Sequence, residues 1–288
     1  METLLGLILP EVERWSRSVV VVRGLNPGAM TGPGTNTYLV GRGKRPLLVD
    51  TGAGIAGYVS LLERALDDHL GGAALGEILV THAHPDHLGG AASLLRAFGS
   101  RTVAKQPWPE KDAAFEVELE SLADGAVIQG DGVTLRALHM PGHSRDHLCF
   151  YLEEERALFT GDVVLGVGTS VIPIDGGDLA DYLRSLERIL ELDLERIYPG
   201  HGPLVKRPRD VVAGYLRHRR EREHQIIDAI QTGSCSVQEI VAQAYRDVPR
   251  VLHPAAAQSV LSHLRQLERE RRAVRSVDAS GHEHWALV

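Results

Sequence analysis

The segment His82-Ala83-His84-Pro85-Asp86-His87 holds three imidazoles and one carboxylate within six residues. The apolar stretch before it, 77–81, is typical of a buried strand, and the Ala- and Leu-rich stretch after it, 88–98, is typical of a helix. Neutral imidazole is the commonest protein ligand for metals, and a loop between a strand and a helix fixes the direction of its side chains. The motif therefore predicts a metal site where a buried strand ends.

Three further candidate ligands follow predicted strands, and each has glycine beside it. Glycine allows sharp turns and close approach of the backbone, so a ligand at such a position can project from a strand end toward a shared point. A catalytic zinc ion takes three protein ligands and a water, so the first cluster alone cannot supply two ions. These later ligands are His143 in Pro141-Gly142-His143, Asp162 in Thr160-Gly161-Asp162, and His201 in Pro199-Gly200-His201-Gly202.

The combined set of seven residues predicts a site for two divalent metal ions. Imidazole and carboxylate suit several ions; we expect zinc, with manganese and iron as alternatives. Two ions about 3.5 to 4 Å apart can share a water and lower its pKa, so that a bridging hydroxide attacks a carbonyl or phosphoryl centre. Hydrolysis is the expected chemistry, and Asp86 is the expected catalytic residue that orients the attacking oxygen.

The order of predicted elements favours an α+β fold with two sheets packed face to face and helices outside. Beyond residue 207 the pattern becomes helical, with helices at 210–231, 236–245 and 254–270, followed by a hairpin that turns at 278–281. We therefore expect a catalytic domain at 1–207 and a winged-helix-like module at 208–288. Strands are expected at 19–22, 37–40, 46–49, 77–81, 133–138, 148–152, 157–160 and 196–198, and further helices at 55–70, 88–98 and 178–190.

Composition limits the cellular compartments and the binding partners that are expected for this protein. Two cysteines, Cys149 and Cys235, cannot build a disulfide framework, which favours a reducing compartment. The N-terminal stretch 1–10 lacks the basic start of a secretory signal, and no run approaches the ~18 apolar residues of a membrane span. We expect a cytoplasmic protein with no membrane partner; the oligomeric state stays open. The net charge of −7 argues against indiscriminate binding of nucleic acid.

With these motifs, the sequence resembles the metallo-β-lactamase superfamily, whose HxHxDH signature stands at His82 to His87. The resemblance implies an αββα sandwich. It also implies that Asp50, in Leu48-Val49-Asp50-Thr51-Gly52, is a structural aspartate near the site. The implied ligands are His82, His84 and His143 for one metal, Asp86, His87 and His201 for the other, and Asp162 as the bridge. Asp162 argues against a true zinc β-lactamase, where cysteine or serine stands at the bridging position.

Within the superfamily, the chain resembles the β-lactamase-like protein 2 family of single-stranded-RNA endoribonucleases. Three stretches carry this resemblance: the loop 26–40, the metal motifs, and the segment 215–268. It implies single-stranded RNA as the partner and cleavage of its phosphodiester bonds. Cationic side chains neutralise phosphates without reading sequence, so a basic run is the candidate clamp, with an exposed helix face as the alternative. The run consists of Arg217, His218, Arg219, Arg220 and Arg222.

Two other functions remain open at this point. Relatives of the same family are thioesterases, so a small acyl thioester is an alternative substrate, with the loop 165–174 as a candidate acyl pocket; a glyoxalase II-like activity belongs to the same class. The non-enzymatic alternative is a metal-bearing protein that binds nucleic acid, which the complete ligand set disfavours. We expect His139 and His147, which flank His143, to be packed or supporting residues rather than ligands.

Overall fold

The structure is a computed structural model that describes residues 7–288; the first six residues of the N-terminal stretch considered above lie outside the described part. The chain forms two compact units. The first unit contains the residues up to Met140 together with Asp146–Gly168 and Asp193–Pro208. The second unit contains Pro141–Arg145, Thr169–Leu192 and Arg209–Val288.

A mixed sheet forms the first half of the first unit. Its strands lie side by side in chain order; the first four are antiparallel, and the pairs from β4 to β7 are parallel. Strands β2, β3 and β4 are buried along their whole length, which agrees with their runs of β-branched and apolar residues. The strands are β1 (Val12–Arg14), β2 (Val19–Arg23), β3 (Asn36–Val40), β4 (Leu47–Val49), β5 (Ile78–Leu79), β6 (Val103–Lys105) and β7 (Glu120–Ser121).

A second sheet has the strand order β12-β11-β10-β9-β8 and is antiparallel except for the parallel pair β11 and β12. Alternate residues of β9 are buried along most of the strand, as expected for a strand with one face in the core. The strands are β8 (Val127–Gly130), β9 (Val133–His139), β10 (Leu148–Leu152), β11 (Ala157–Gly161) and β12 (Arg196–Pro199).

The two sheets pack face to face through one apolar cluster that takes side chains from both, with Tyr38, Phe159 and Tyr198 at its aromatic centre. The opposite face of the first sheet packs against α1 and α3 through a second cluster. The helices of this unit are α1 (Tyr58–Leu70), α2 (Pro85–Leu88), α3 (Ala91–Phe98) and α4 (Pro109–Asp112).

The second unit is built from helices and a terminal hairpin around its own apolar core, which includes Ile226, Val260 and Trp285. Helix α7 begins with a capping box, in which Ser236 Oγ accepts from Glu239 N and the Glu239 carboxylate accepts from Ser236 N. The elements are α5 (Leu179–Glu191), α6 (Pro208–Gln231), α7 (Val237–Ala244), α8 (His253–Arg269), β13 (Ala273–Val277) and β14 (Glu283–Leu287).

The contact grouping places the segments 141–145 and 169–192 with 209–288, whereas the sequence predicts a single boundary after residue 207; that boundary stays a prediction. Hydrogen bonds explain this grouping: Ser262 Oγ donates to Ile172 O, Ser185 Oγ donates to Pro141 O, and Asp178 N donates to Gly142 O. These contacts join residues far apart in sequence and leave no local pattern. Within residues 7–288, no helix is both long enough and apolar enough to cross a membrane.

We expect Ser236→Ala to lower the free energy of unfolding by about 1 kcal/mol, because the first turn of α7 loses the acceptor for Glu239 N. Urea denaturation followed by circular dichroism measures the change. Ser100→Ala, in an exposed loop, is the control and should leave the midpoint unchanged. Equal midpoints for both variants would show that the capping box does not stabilise the protein.

Candidate metal centre

The candidate ligands of the first unit are placed by strand ends. Strand β5 ends two residues before Thr81, and His84 is the residue before α2, which starts at Pro85 and presents Asp86 and His87 from one helical turn. Strands β11 and β12 are parallel neighbours, so the residues that follow them, Asp162 and His201, emerge at the same edge of the sheet. Local structure thus directs all these side chains to one edge.

Carboxylate oxygens and imidazole nitrogens converge at this edge. His87 Nε2 lies 3.3 Å from Asp86 Oδ2 and 3.4 Å from Asp162 Oδ1. His201 Nε2 lies 3.3 Å from each of the same two oxygens. The ligand atoms of Asp86, His87 and His201 lie within 4.8 Å of one another, and so do those of His82, His87 and Asp162. Asp162 therefore lies close to ligand atoms of His82, His87 and His201; the bridging role that the family resemblance implies for it stays a prediction.

His82 and His84 lie beside this cluster. His82 Nε2 is 2.9 Å from His84 Nδ1, and the His82 ring stacks on the His147 ring with a centroid separation of 4.7 Å. His147 is buried, and its Nε2 accepts a hydrogen bond from the Asp162 backbone N–H. These contacts agree with a supporting role for His147, which stays a prediction.

His143 belongs to the second unit, where Val171 O lies 2.7 Å from its Nδ1 and Ser170 Oγ lies 3.2 Å from the same atom. Met140 N donates to His147 O, and this hydrogen bond closes a loop in which His143 is three residues after Met140 and four residues before His147. The role of His143 as the third ligand beside His82 and His84 stays a prediction.

Asp50 holds the histidine loop in place. Its carboxylate is buried and accepts hydrogen bonds from Thr81 N at 2.7 Å and from Thr81 Oγ1 at 3.0 Å. His87 Nδ1 lies 2.7 Å from the other carboxylate oxygen, so Nδ1–H donates there and Nε2 is the ring nitrogen left to face the site. A carboxylate that accepts a hydrogen bond from the other ring nitrogen fixes both the tautomer and the orientation of a ligating histidine.

Thr35 contacts the site, although the sequence did not single it out as a site residue. Its hydroxyl donates to Asp86 Oδ2 at 2.9 Å, and its backbone N–H donates to the side-chain oxygen of Asn26. The next residue, Asn36, donates through its side-chain amide to Pro199 O and Gly202 O on either side of His201. The only sequence signal for these roles was the polar loop that carries the family resemblance.

Lys105 and Asp146 form a second support that the sequence did not reveal. Lys105 is 1% exposed, and its Nζ lies 2.9 Å from the buried Asp146 carboxylate. Asp146 Oδ2 accepts from Ala83 N, between the first two histidines. Breaking a buried ion pair is costly, so this pair fixes the backbone of the His82-Ala83-His84 motif.

Charge favours a cation at this edge. Burial alone would raise the pKa of Asp86 and Asp162, but the neighbouring imidazoles outweigh it and hold both pKa values below their ordinary range. Burial would likewise lower the pKa of His201, but the Asp162 charge and hydrogen bonds raise it to about 9. The pKa of His87 is also raised, because Asp86, Asp50 and Asp162 outweigh its burial. The carboxylates therefore stay ionised and attract positive charge.

The donor set fits divalent metal ions. Within residues 7–288, His87 Nε2 is buried without a hydrogen bond of good geometry, although two carboxylate oxygens lie close to it. Burying such an atom is costly unless a partner takes its lone pair. Imidazole nitrogen and carboxylate oxygen are the ligand types that zinc, manganese and iron accept. The geometry thus agrees with a metal centre.

The basic run on α6 is not one exposed surface. Arg217 and Arg220 are exposed, but Arg219 is buried, and His218 and Arg222 are half-buried. The helical repeat turns these residues to different sides, and Arg219 packs over the Tyr182 ring at 5.1 Å. The five side chains therefore do not form a clamp on one face of the helix. Arg217 and Arg220 face solvent.

Comparison with known proteins identifies the family. A model described as "Metallo-beta-lactamase superfamily" matches residues 30–201, well over half of the chain, and one described as "Beta-lactamase associated winged helix domain" matches residues 236–285. This chain belongs to the metallo-β-lactamase superfamily. The expected fold class, including the C-terminal winged-helix module, is confirmed. Family membership and the ligand clusters together indicate a dinuclear metal site.

Relatives and solved structures agree with this assignment. The chain is 38% identical over 277 residues to "Beta-lactamase-like protein 2 homolog" of Drosophila melanogaster, covering 91% of this chain and 92% of that protein. It is 39% identical over 247 residues to "Atrochrysone carboxyl ACP thioesterase" of Claviceps purpurea, covering 82% and 75%. A crystal structure of a beta-lactamase domain protein from Burkholderia ambifaria has the same fold, with a TM-score of 0.84, 21% identity and coverage of 100% and 98%.

We expect Asp50→Ala to lower the free energy of unfolding by about 3 kcal/mol, because Thr81 and His87 lose a buried acceptor. Metal affinity should fall roughly 10- to 100-fold, since His87 loses the partner that orients it. Denaturation and a competitive chelator titration measure the two effects. Asp67→Ala, on the exposed side of α1, is the control. Unchanged metal affinity in Asp50→Ala would contradict the orienting role.

Proposed function

We propose that this protein is a hydrolase that uses two divalent metal ions, zinc in the first place, to cleave phosphodiester bonds of single-stranded RNA. The observation that carries the hydrolase assignment is the convergence of Asp86 and Asp162 oxygens on the Nε2 atoms of His87 and His201, at 3.3 to 3.4 Å. A bridging carboxylate at position 162 separates this arrangement from the ligand sets of true zinc β-lactamases.

The chain's own residues have separate tasks in this proposal. His82, His84 and His143 would hold one ion, Asp86, His87 and His201 the other, and Asp162 would contact both. When bound, the ions supply an activated water and stabilise negative charge on the attacked group. Asp86 is held by the Thr35 hydroxyl at 2.9 Å, which fixes the carboxylate that orients the attacking oxygen. Asp50 keeps the His87 tautomer that presents Nε2.

Two observations support RNA as the substrate. The protein from Drosophila melanogaster shares the family to which the sequence resemblance points and matches this chain over most of its length. Arg217 and Arg220 are exposed on α6, where their guanidinium groups can meet a phosphate backbone. The retained Asp86 and Asp162 favour an enzyme over a protein that only binds nucleic acid.

A thioester is the second candidate substrate, and one observation favours it. The relative of Claviceps purpurea is named an acyl carrier protein thioesterase and is as similar to this chain as the relative of Drosophila melanogaster. A thioester carbonyl and a phosphodiester both develop negative charge on oxygen during hydrolysis, so the same ligand set serves both reactions. The residues that bind the parts of the substrate away from the cleaved bond therefore decide between RNA and a thioester.

We expect the purified protein to contain close to two divalent ions per chain and to lose hydrolysis when a chelator removes them. Asp86→Asn should lower the rate by at least about a hundredfold, since an amide cannot replace the carboxylate in holding the ion or the attacking oxygen. Metal analysis and circular dichroism accompany the activity measurement. Asp247→Asn, on an exposed side chain, is the matched control. Less than one ion in well-folded protein would contradict the dinuclear site.

The substrate is tested with four classes of compound: single-stranded RNA, an acyl thioester, S-lactoylglutathione and a lactone. We expect chelator-sensitive cleavage of RNA by the wild type and none by Asp86→Asn. Arg217→Gln with Arg220→Gln should raise KM for RNA and leave kcat for a small thioester unchanged, because these side chains contact only the longer substrate. Metal-dependent turnover of the thioester without cleavage of RNA would reject RNA in favour of the second candidate.

A further inference from the structure

A cluster of basic side chains lies on the inner side of α6 and on α8 in the second unit, apart from the metal ligands. Arg219 is 3% exposed and His263 is 2% exposed; His218 and Arg222 are half-buried beside them. The Arg222 guanidinium lies 4.0 Å from the centre of the Tyr245 ring. We refer to Arg219, Arg222, His218 and His263 as the basic cluster.

In the part of the chain that the structure describes, the basic cluster has no anionic partner. Within residues 7–288, neither guanidinium forms an ion pair with a carboxylate; Arg219 donates to Ser170 O, and Arg222 donates to Ala244 O and to the Gln225 side chain. Burying a cation without a counter-charge is costly, and natural proteins normally pair such groups or use them. Packing alone therefore does not explain why these cationic side chains are buried without a counter-charge.

Several nitrogen atoms of the cluster are buried without a hydrogen-bond partner in the described chain. They belong to side chains of α6 and α8 and include both ring nitrogens of His263, which is almost fully buried. Buried polar atoms of this kind are rare, and each calls for an explanation such as a bound ion. The atoms are Arg219 Nε, Arg222 Nε, His218 Nδ1, and His263 Nδ1 and Nε2.

Positive charge dominates around the two imidazoles. Burial, followed by Arg219 and then His218 and Arg222, lowers the pKa of His263 to about 3. Burial and the same two arginines lower the pKa of His218 to about 4, and Glu221 opposes this shift only weakly. Near neutral pH the arginines carry the charge of the cluster, while the neutral imidazoles each offer one N–H donor.

We propose that the basic cluster binds a phosphate group. Guanidinium forks match the oxygens of a phosphate, and two of them with two imidazole N–H donors surround a tetrahedral anion better than a flat carboxylate. His218 and Arg222 are half-buried, so part of the basic cluster is exposed to solvent. The proposal does not require the proposed hydrolysis, because phosphate binding at the cluster is measured without turnover and no member of the cluster is a candidate metal ligand.

The phosphate can be free or part of a larger ligand, such as a nucleotide or a coenzyme A-type carrier. Arg219 also donates to Ser170 O, next to the contacts of His143, so its replacement would disturb two places at once. Arg222 and His263 are therefore the better positions for a test. Arg209 and Arg265 offer matched controls, since they carry the same charge on the same two helices but are exposed.

The test uses the metal-loaded full chain. Inorganic phosphate is titrated by calorimetry, and the imidazole signals of His218 and His263, assigned through His→Gln variants, report binding at the cluster rather than at the metal centre. We expect both signals to shift with phosphate. Arg222→Gln should weaken this binding by about tenfold or more, while Arg209→Gln and Arg265→Gln should leave it unchanged.

His263→Phe provides a second, independent variant. Replacing a buried unpaired polar side chain by an apolar one of similar shape is neutral or stabilising, so this variant should fold and yet bind phosphate more weakly.

Two pairs of ligands distinguish a nucleotide from a coenzyme A-type carrier as the source of the phosphate. 5′-AMP is compared with adenosine, and coenzyme A is compared with pantetheine. Preference for the phosphorylated member of either pair, lost in Arg222→Gln, supports the site. Imidazole signals that do not respond to phosphate, or equal affinity in Arg222→Gln and Arg209→Gln, overturn it.

Discussion

The buried carboxylate of Asp50 accepts hydrogen bonds from both ends of the histidine loop, from Thr81 where β5 leads into the loop and from His87 on α2. Asp50 follows β4 directly, and β4 pairs in parallel with β5, so neighbouring strands deliver the acceptor and its donors to the same sheet edge. Asp50 itself has a φ of 61°, a left-handed conformation that aspartate tolerates better than most residues. The orientation of the candidate ligands depends on this one buried group.

Further buried polar contacts extend this control to the other parts of the site. Thr35 fixes the Asp86 carboxylate, Asn36 holds the turn that carries His201, and the Lys105–Asp146 pair holds the backbone between His82 and His84. Each of these side chains lies on or next to a strand whose apolar neighbours fill the core. The packed sheets therefore fix the positions of the strand ends. The polar contacts at this edge then fix the orientation of the candidate ligands.

Helix α6 shows how one charged segment can serve two environments. Its basic run looks uniform in sequence, yet the helical repeat sends Arg217 and Arg220 to solvent and Arg219 to the interior of the second unit. Exposed arginines suit contact with a polyanion, whereas Arg219 and Arg222, together with His218 and His263, form the basic cluster proposed to bind a single anion. A count of basic residues along the chain does not separate these roles.

The sequence alone determined the family, the main strands and helices, and the identity of the candidate ligands, because these depend on local patterns. Periodic apolar runs define elements, and His or Asp beside glycine at strand ends marks the site. The short strands β1, β6, β7 and β8 were missed, since two to four residues carry too little periodicity. Only the tertiary structure decided that Thr35, Lys105 and Asp146 support the site, that segments 141–145 and 169–192 join the second unit, and that the basic run divides. The physical reason is that these features rest on hydrogen bonds and packing between residues distant in the chain, which no local pattern encodes.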